Sequence, residues 1–124
     1  MGLKNYEIER YSRNIVLAEL GPEGQKSIRA GRVLVVGAGG LGSPVALYLA
    51  AAGIGVLGII DSDRVELSNL QRQILYDTPS LGQWKTLSAA RRIHWLNPDV
   101  KVKALKVKFS AENALGKSKF TQSI

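Results

Sequence analysis

Residues 37–42 read Gly-Ala-Gly-Gly-Leu-Gly, the G-x-G-x-x-G spacing of loops that hold nucleotide phosphates. Gly37 permits a tight turn, Gly39 lets the backbone approach a phosphate, and Gly42 lets a helix and a strand pack closely. The N–H groups at the start of the following helix, together with the positive end of its dipole, favour an anion. The loop therefore predicts a phosphate site.

An acidic residue follows at the distance that such a site requires. Asp61 lies 19 residues after Gly42, at the end of a second apolar run. A carboxylate there can accept hydrogen bonds from both hydroxyl groups of a ribose. The plainer alternative is a connecting turn with Asp61 at the surface. The loop and the acid together predict a mononucleotide or dinucleotide site, and they do not choose between NAD and ATP.

Two further segments narrow that choice. Residues 65–73 read Val-Glu-Leu-Ser-Asn-Leu-Gln-Arg-Gln, and residues 81–85 read Leu-Gly-Gln-Trp-Lys. With the glycine loop and Asp61, they resemble the ThiF/MoeB/HesA family, relatives of the ubiquitin-activating enzymes. Residues 10–14, Arg-Tyr-Ser-Arg-Asn, resemble that family's opening motif, and the resemblance extends over residues 5–115. It implies ATP-dependent adenylation of the C-terminal glycine of a ubiquitin-like sulfur-carrier protein.

The residue types suit that chemistry. An acyl-adenylate forms when a carboxylate attacks the α-phosphate of ATP, and fixed cations must meet the negative charge that gathers there. Arg72 can bind phosphate through its rigid fork, and Lys85 can act as a mobile point charge. Asn69 and Gln73 can donate neutral hydrogen bonds. A hydride-transfer enzyme has no comparable need.

The resemblance also assigns roles to individual residues. It implies that Gly40 and Asp61 bind the nucleotide. The phosphate-binding residues that it implies are Asn69, Arg72 and Lys85. Asp63 and Ser68 lie in the same segment, and we expect them to line the nucleotide site. For all of these residues, the plainer alternative is a solvated turn or helix side chain.

Two positions bear on the rest of the assignment. The resemblance implies that Arg13 reaches the γ-phosphate of ATP bound by a neighbouring subunit, and therefore that the protein is a homodimer. The family usually has proline where this chain has Trp84. Because Trp84 directly precedes Lys85, this departure bears on the role that the resemblance gives to Lys85.

The surrounding pattern predicts the elements that position these residues. Residues 32–36 form a short, β-branched apolar run typical of a strand buried in a parallel sheet, and residues 56–60 form another. A helix is expected between them from Leu41 to Ala52, with Gly53 as its C-cap. Within that helix, Tyr48 and Leu49 are expected in the core.

The flanking segments complete the predicted fold. We expect short helices between residues 5 and 30, a helix from Lys85 to Leu96, and a third strand over 101–109 whose register shifts between Ala104 and Leu105. Ser110 is the predicted N-cap of another helix. The fold class is α/β and Rossmann-like: about three strands forming the N-terminal half of a doubly wound parallel sheet, preceded by short helices. The domain spans 1–115, and 116–124 is an irregular tail.

Composition excludes several classes of protein. The 124 residues, 45% of them hydrophobic, suit one globular domain, and the absence of cysteine excludes disulfides, cysteine-bound zinc and a thiol nucleophile. The net charge is +7, but six lysines fall in the last 24 residues without interleaved aromatic residues, so we do not expect nucleic-acid binding. No apolar run is long enough to cross a membrane, and we expect a cytoplasmic protein.

The resemblance further implies a second half that this sequence does not contain. That half would carry the Mg²⁺ ligand, two C-x-x-C zinc motifs and a docking surface for the carrier protein. We therefore expect Mg²⁺ to be required while its ligand is absent, and we assign no metal ligand in this chain. We expect an incomplete, truncated form whose first strand is an apolar edge. The alternatives are a stand-alone nucleotide-binding or partner-docking module and an NAD-binding oxidoreductase fragment.

Overall fold

The structure, a computed structural model, describes residues 2–16 and 20–108. The helices in this part of the chain are α1 (Asn5–Arg10), α2 (Ser12–Ile15), α3 (Gly21–Ala30), α4 (Gly42–Ala52) and α5 (Lys85–Leu96). The strands are β1 (Arg32–Val36), β2 (Val56–Ile60) and β3 (Lys101–Leu105). Two 3₁₀ turns, Leu67–Asn69 and Thr78–Ser80, lie in the long connection from β2 to α5.

The three strands form one parallel sheet in the order β1-β2-β3. β2 is the central strand, and four of its five residues are buried, as expected for a strand covered on both faces. Within the described residues, β1 pairs with β2 alone, in a register that aligns Val33 with Leu57. The predicted Rossmann-like half-sheet is confirmed, and β1 is its open edge.

The core lies between the sheet and the helices that follow β1 and β2. It contains Leu57 and Ile59 from β2, Ala46 and Ala50 from α4, and Ile93 from α5, all fully or almost fully buried. The contiguous apolar core is what allows so short a sheet to hold its shape.

Both long helices end as the sequence predicts. α4 closes on Gly53, whose φ of 94° is left-handed. α5 ends at Asn97, whose side-chain amide donates to the Tyr11 hydroxyl and to the Ala50 carbonyl, both at 2.8 Å. A single buried asparagine thus joins α5, α4 and the N-terminal helices.

Two expectations about individual residues were wrong. The register of β3 is unbroken, since Ala104 pairs with Ile59 and Leu105 with Ile60. Pairing ends at Leu105, so β3 is shorter than the predicted strand over 101–109, and the change in alternation falls at its end and needs no bulge. Tyr48 is 74% exposed while Leu49 packs against the core, because neighbouring residues on a helix point in different directions.

Some predictions fall on residues that the structure does not describe. The helix expected from Ser110 and the irregular tail at 116–124 lie outside the described residues. Among the helices of the described part, none has the length and the apolar character needed to cross a membrane.

Candidate nucleotide-binding site

The glycine loop joins β1 to α4 and has the geometry that its spacing predicts. Gly37 has a φ of 85°, and its N–H donates to the Ile60 carbonyl at 2.8 Å. A Cβ at Gly42 would overlap the Gly37 carbonyl oxygen and lie 3.3 Å from Val35 Cγ1, so only glycine fits there. The loop therefore turns tightly and lets the first turn of α4 lie against the end of β1.

The backbone of this loop presents free hydrogen-bond donors. In the described part of the chain, the N–H groups of residues 39–42 donate no hydrogen bond, and no side chain caps α4. Gly40 is exposed, with open space around its Cα. Consecutive unpaired amides at a helix start form an anion cradle, because each needs an acceptor and the helix dipole adds positive potential.

Asp61 ends β2 directly beside this cradle. One carboxylate oxygen accepts from the Ala38 N–H and the other from the Asp63 N–H, both at 2.8 Å. The side chain therefore holds the glycine loop in place in addition to its predicted contact with ribose. A carboxylate has about four lone-pair sites, so two hydrogen bonds leave capacity for ribose hydroxyls.

Residues 66–73 fold into a compact turn. The Asn69 side-chain oxygen accepts from the Glu66 N–H at 2.9 Å, and its carbonyl accepts from the N–H groups of Arg72 and Gln73. The Asn69 amide nitrogen has no partner among the described residues and remains available as a donor. Arg72 is exposed, and its guanidinium donates to the Ser68 carbonyl at 3.2 Å.

Three buried side chains connect residues 73–76 to the glycine loop and the start of α4. The Gln73 amide nitrogen lies 3.6 Å from where a Gly39 Cβ would be. The Ser43 hydroxyl accepts from the Leu75 N–H at 2.9 Å, and the Tyr76 hydroxyl donates to the Ala38 carbonyl at 2.6 Å. Sequence reasoning found Gln73 but missed Ser43 and Tyr76. The available signal was that a buried tyrosine usually finds a hydrogen-bond partner.

Lys85 is the first residue of α5 and is 94% buried, with a relative exposure of 6%. Its N–H donates to the Asp63 carbonyl at 3.0 Å. Its ammonium nitrogen lies 5.9 Å from the centre of the Tyr76 ring and contacts no carboxylate in the described part of the chain. The side chain also borders a cavity, where an anionic ligand would pair with the ammonium.

Two cavities border these residues. A cavity of about 190 Å³, the lysine cavity, is lined by Asp63, Arg64, Glu66, Asn69 and Lys85. The strand-end cavity, of about 170 Å³, lies at the carboxyl ends of the strands, and Gly37, Asp61, Asp63 and Lys108 are among its lining residues. Asp63 borders both cavities. Ligands of open α/β sheets bind at this end of the strands.

Trp84 has a backbone conformation that proline also adopts. Its φ is −61°, and its N–H donates no hydrogen bond within the described residues. Its ring is flanked by the Arg64 guanidinium, 4.1 Å from the ring centre, and by the Lys106 ammonium at 5.7 Å. Because the backbone geometry suits proline, the departure at this position leaves Lys85 at the start of α5.

The structure does not bring Arg13 to this site. Arg13 is exposed on α2, and the neighbouring Asn14 bonds to Gln25, which in turn bonds to Ala52 at the far end of α4. An 11-residue helix is about 16 Å long, so Arg13 lies well away from the glycine loop. The other candidate residues lie on the glycine loop, at the end of β2, in the turn at 66–73 and at the start of α5.

Residues 2–16 and 20–108 offer no metal site: no group of three or more His, Cys, Asp or Glu side chains there could hold an ion. The nearest acid to the glycine loop, Asp61, already accepts two backbone hydrogen bonds. This part of the chain therefore supplies no all-protein cage for a Mg²⁺ ion, and no step is assigned to one.

Known proteins resemble this chain over most of its length. It is 51% identical over 109 residues to the sulfur carrier protein adenylyltransferase of Thermus thermophilus, covering 88% of this chain and 40% of that protein. It is 53% identical over 113 residues to the adenylyltransferase and sulfurtransferase MOCS3 of Danio rerio, covering 91% of this chain and 25% of that protein. The chain thus spans less than half the length of either relative.

A solved structure extends the comparison. The E. coli tRNA N6-threonylcarbamoyladenosine dehydratase TcdA, in complex with ATP, is similar with a TM-score of 0.89 at 28% identity, covering 96% of this chain and 48% of that one. A sequence model of the ThiF family matches residues 11–123. With its glycine loop, its acid at the end of β2 and its buried lysine at the start of α5, the chain belongs to the ThiF family.

Proposed function

We propose that this chain forms the ATP-binding part of an enzyme that adenylates the C-terminal glycine of a ubiquitin-like sulfur-carrier protein. The observation that carries the proposal is a set of unpaired hydrogen-bond donors at one end of the sheet. In the described part of the chain, the N–H groups of residues 39–42 donate no hydrogen bond, and the Lys85 ammonium at the start of α5 contacts no carboxylate. A polyphosphate would meet both.

The arrangement suggests how ATP lies in the site. Asp61 binds the ribose in the strand-end cavity, and the amides of residues 39–42 bind the phosphates, with Gly40 open to the ligand. Lys85 and the Asn69 amide meet the phosphates from the lysine cavity. Asp63, Ser68, Arg72 and Gln73 line or support this path. The exposed Arg72 must turn from the Ser68 carbonyl to contact the ligand.

The chemistry follows from that arrangement. A carboxylate oxygen of the carrier's terminal glycine attacks the α-phosphorus, and the bond from this phosphorus to the bridging oxygen breaks. Acyl-adenylate and pyrophosphate are the products. Arg72 and Lys85 stabilise the charge that develops on the phosphate oxygens and on the leaving pyrophosphate. This acceleration requires that both cations contact the ligand more strongly in the transition state than before it.

Homodimer formation belongs to the same proposal. Arg13 lies too far from the site of its own chain and would serve the ATP of a partner subunit. The outer face of α4 supports an interface, because Leu41, Val45 and Tyr48 are exposed there at helical spacing. The carrier's pathway, whether thiamine or molybdopterin, is left open. The cytoplasmic location is likewise a prediction from sequence.

The competing functions differ in what they bind. A stand-alone nucleotide-binding or docking module would bind ATP equally well and would need another chain for chemistry. An NAD-binding oxidoreductase fragment would prefer NAD over ATP. The buried lysine and the ATP complex of TcdA favour ATP.

Titration with ATP tests the proposal. Wild type should bind ATP in preference to NAD, and Asp61→Ala and Arg72→Ala should each weaken binding by about tenfold or more. Arg92→Ala is the matched control, because Arg92 is an exposed arginine on α5 outside the site. The mass of the complex, measured in the same sample, tests the homodimer. Equal ATP affinity in all four proteins would overturn the assignment.

Pyrophosphate exchange with a Gly-Gly-tailed carrier protein tests the catalytic step separately. We expect little or no exchange by this polypeptide alone, because it spans less than half the length of the relatives that it matches. Robust exchange would contradict the expectation that the second half of the family's sequence is required.

A further inference from the structure

Within the described residues, the Lys85 ammonium faces the ring of Tyr76, which can stabilise its charge. The distance of 5.9 Å lies at the outer end of the range in which an aromatic face attracts a cation. Tyr76 is itself buried, with 6% exposure, so water does not screen the contact strongly. The ring therefore contributes to where the ammonium rests when no phosphate is present.

Tyr76 is fixed at its other end. Its hydroxyl donates to the Ala38 carbonyl at 2.6 Å, and the Ala38 N–H donates to Asp61. Burial, and then the negative charges of Asp61 and Asp63, hold the pKa of the Tyr76 phenol above its ordinary value of 10.0. The hydroxyl therefore remains a proton donor at physiological pH.

We propose that Tyr76 is a positioning residue for phosphate binding: its ring holds the Lys85 ammonium, and its hydroxyl fixes that ring to the glycine loop. One side chain thereby sets the spacing between the two phosphate-binding sides of the site, which are the loop amides and the lysine. This inference rests on the proposed function, in which Lys85 contacts the phosphates of ATP.

A purely structural role for Tyr76 makes different predictions. If the ring only filled space, its loss would weaken the whole fold and would affect all ligands of the site alike. If the ring acts through Lys85, its loss affects ligands that carry a polyphosphate, and only while Lys85 is present. The comparison of ATP with adenosine separates these cases.

The test is a double-mutant cycle in the full 124-residue chain, with ATP and adenosine affinities measured by calorimetry. Lys85→Met should weaken ATP binding by about tenfold or more and leave adenosine binding unchanged. Tyr76→Leu should weaken ATP binding by about three- to thirtyfold, the range of a desolvated cation–π contact. In the Lys85→Met background, the effect of Tyr76→Leu on ATP should shrink to that of losing the hydroxyl alone, as in Tyr76→Phe.

Tyr76→Phe provides a second, milder variant, should Tyr76→Leu not fold. It keeps the ring and removes the hydroxyl, so its loss of ATP affinity should be smaller than that of Tyr76→Leu and, because the hydroxyl acts on the loop amides, should remain with Lys85→Met. Amide hydrogen exchange of the Gly37 and Ala38 N–H groups, which donate to Ile60 and Asp61, should be faster than in wild type, because the Ala38 carbonyl loses its donor. Unchanged exchange would show that the hydroxyl does not hold the loop.

The outcomes distinguish the inference from the function on which it rests. If Lys85→Met leaves ATP affinity unchanged, the proposed phosphate site falls, and the inference falls with it. If Lys85→Met weakens ATP binding but Tyr76→Leu acts equally in both backgrounds, or the Tyr76 variants affect adenosine as much as ATP, only the positioning role is overturned.

Discussion

At the scale of single residues, the acidic side chains of this chain organise its backbone before any ligand binds. Asp61 accepts hydrogen bonds from two loop amides, and Glu7 accepts one from the Lys4 N–H at 3.0 Å. Glu7 is buried at 5% exposure and also accepts from Arg29 through both carboxylate oxygens, at 3.1 and 3.2 Å. This ion pair joins α1 to α3.

The Glu7 pair predicts a pH-dependent stability. The Lys4 N–H bond, and then Arg29, hold the pKa of Glu7 below its ordinary 4.5. The folded state thus prefers the ionised carboxylate, so its contribution is present above about pH 4.5 and is lost as the pH falls through the lower, folded pKa. Glu7→Gln should lower the free energy of unfolding near pH 7 by about 1–3 kcal/mol, discounted for the partial exposure of Arg29.

Urea unfolding between about pH 7 and pH 3 checks this prediction. The difference between wild type and Glu7→Gln should shrink as the pH falls. Glu9→Gln is the control, because Glu9 is exposed on the same helix. A difference that stays constant across this range would show that Glu7 contributes through packing rather than through its charge.

At the scale of elements, the site is assembled where two helices begin. α4 supplies free amides, α5 supplies Lys85, and the connection from β2 to α5 spans the gap between them. A short antiparallel bridge pairs Arg64 with Trp84 and fixes the end of that connection. The start of each helix is therefore held by contacts outside the helix itself.

The close packing at Gly42 predicts that a larger residue there would disturb the start of α4. A Cβ there meets the Gly37 carbonyl, so Gly42→Ala should destabilise the fold by about 1–3 kcal/mol and should displace the amides that bind phosphate. Thermal unfolding and ATP titration measure the two effects. Gly40→Ala is the control for stability, because nothing lies within 4 Å of its added Cβ. Equal melting temperatures for the two variants would contradict the predicted clash.

The backbone conformation at Trp84 predicts that this position tolerates proline, the residue usual in the family. Trp84→Pro should fold, because φ is −61° and the N–H is unbonded within the described residues. It should lose about 0.5–2 kcal/mol from the contacts with Arg64 and Lys106, and should keep ATP affinity because Lys85 stays in place. Calorimetry of Trp84→Pro beside Trp84→Ala measures both quantities. A loss of ATP affinity as large as that of Lys85→Met would contradict the prediction.

At the scale of the whole molecule, the sheet is covered unevenly. β2 is enclosed, whereas in the described part β1 has one neighbour and ends in Val36, which is 51% exposed. The Gly31 carbonyl and the Gly37 N–H face β2, so by alternation Leu34 and Val36 direct their backbone groups to the open side. Such an edge pairs readily with another strand.

The edge predicts self-association of the isolated polypeptide. We expect species larger than a dimer that grow with concentration, and Val36→Lys should suppress them by placing a charge on the edge. Sedimentation velocity at several concentrations measures this. Val16→Lys is the matched control, because Val16 is an exposed valine directly after α2 and is not part of the sheet. Equal suppression by both variants would show that net charge, and not the edge, governs association.

Most local features of the fold could be predicted from the sequence. The bounds of β1, β2 and α5, the left-handed Gly53 and the turn at Gly37 follow from periodicity and from the conformations that glycine permits. The family segment at 65–73 identified the candidate ligands. These features depend on neighbours within one turn or one strand, and such neighbours are visible in a linear pattern.

The tertiary structure alone decided how distant segments meet. The Tyr76 bond to Ala38 spans 38 positions, and the Leu75 bond to Ser43 spans 32. The sequence predicted neither, and it misjudged Tyr48 and the register of β3. Periodicity describes which side of an element is apolar, but a hydrogen bond across the fold depends on how the elements pack. Only that packing determined that Lys85 at the start of α5 faces Tyr76, whose hydroxyl is bonded to the glycine loop.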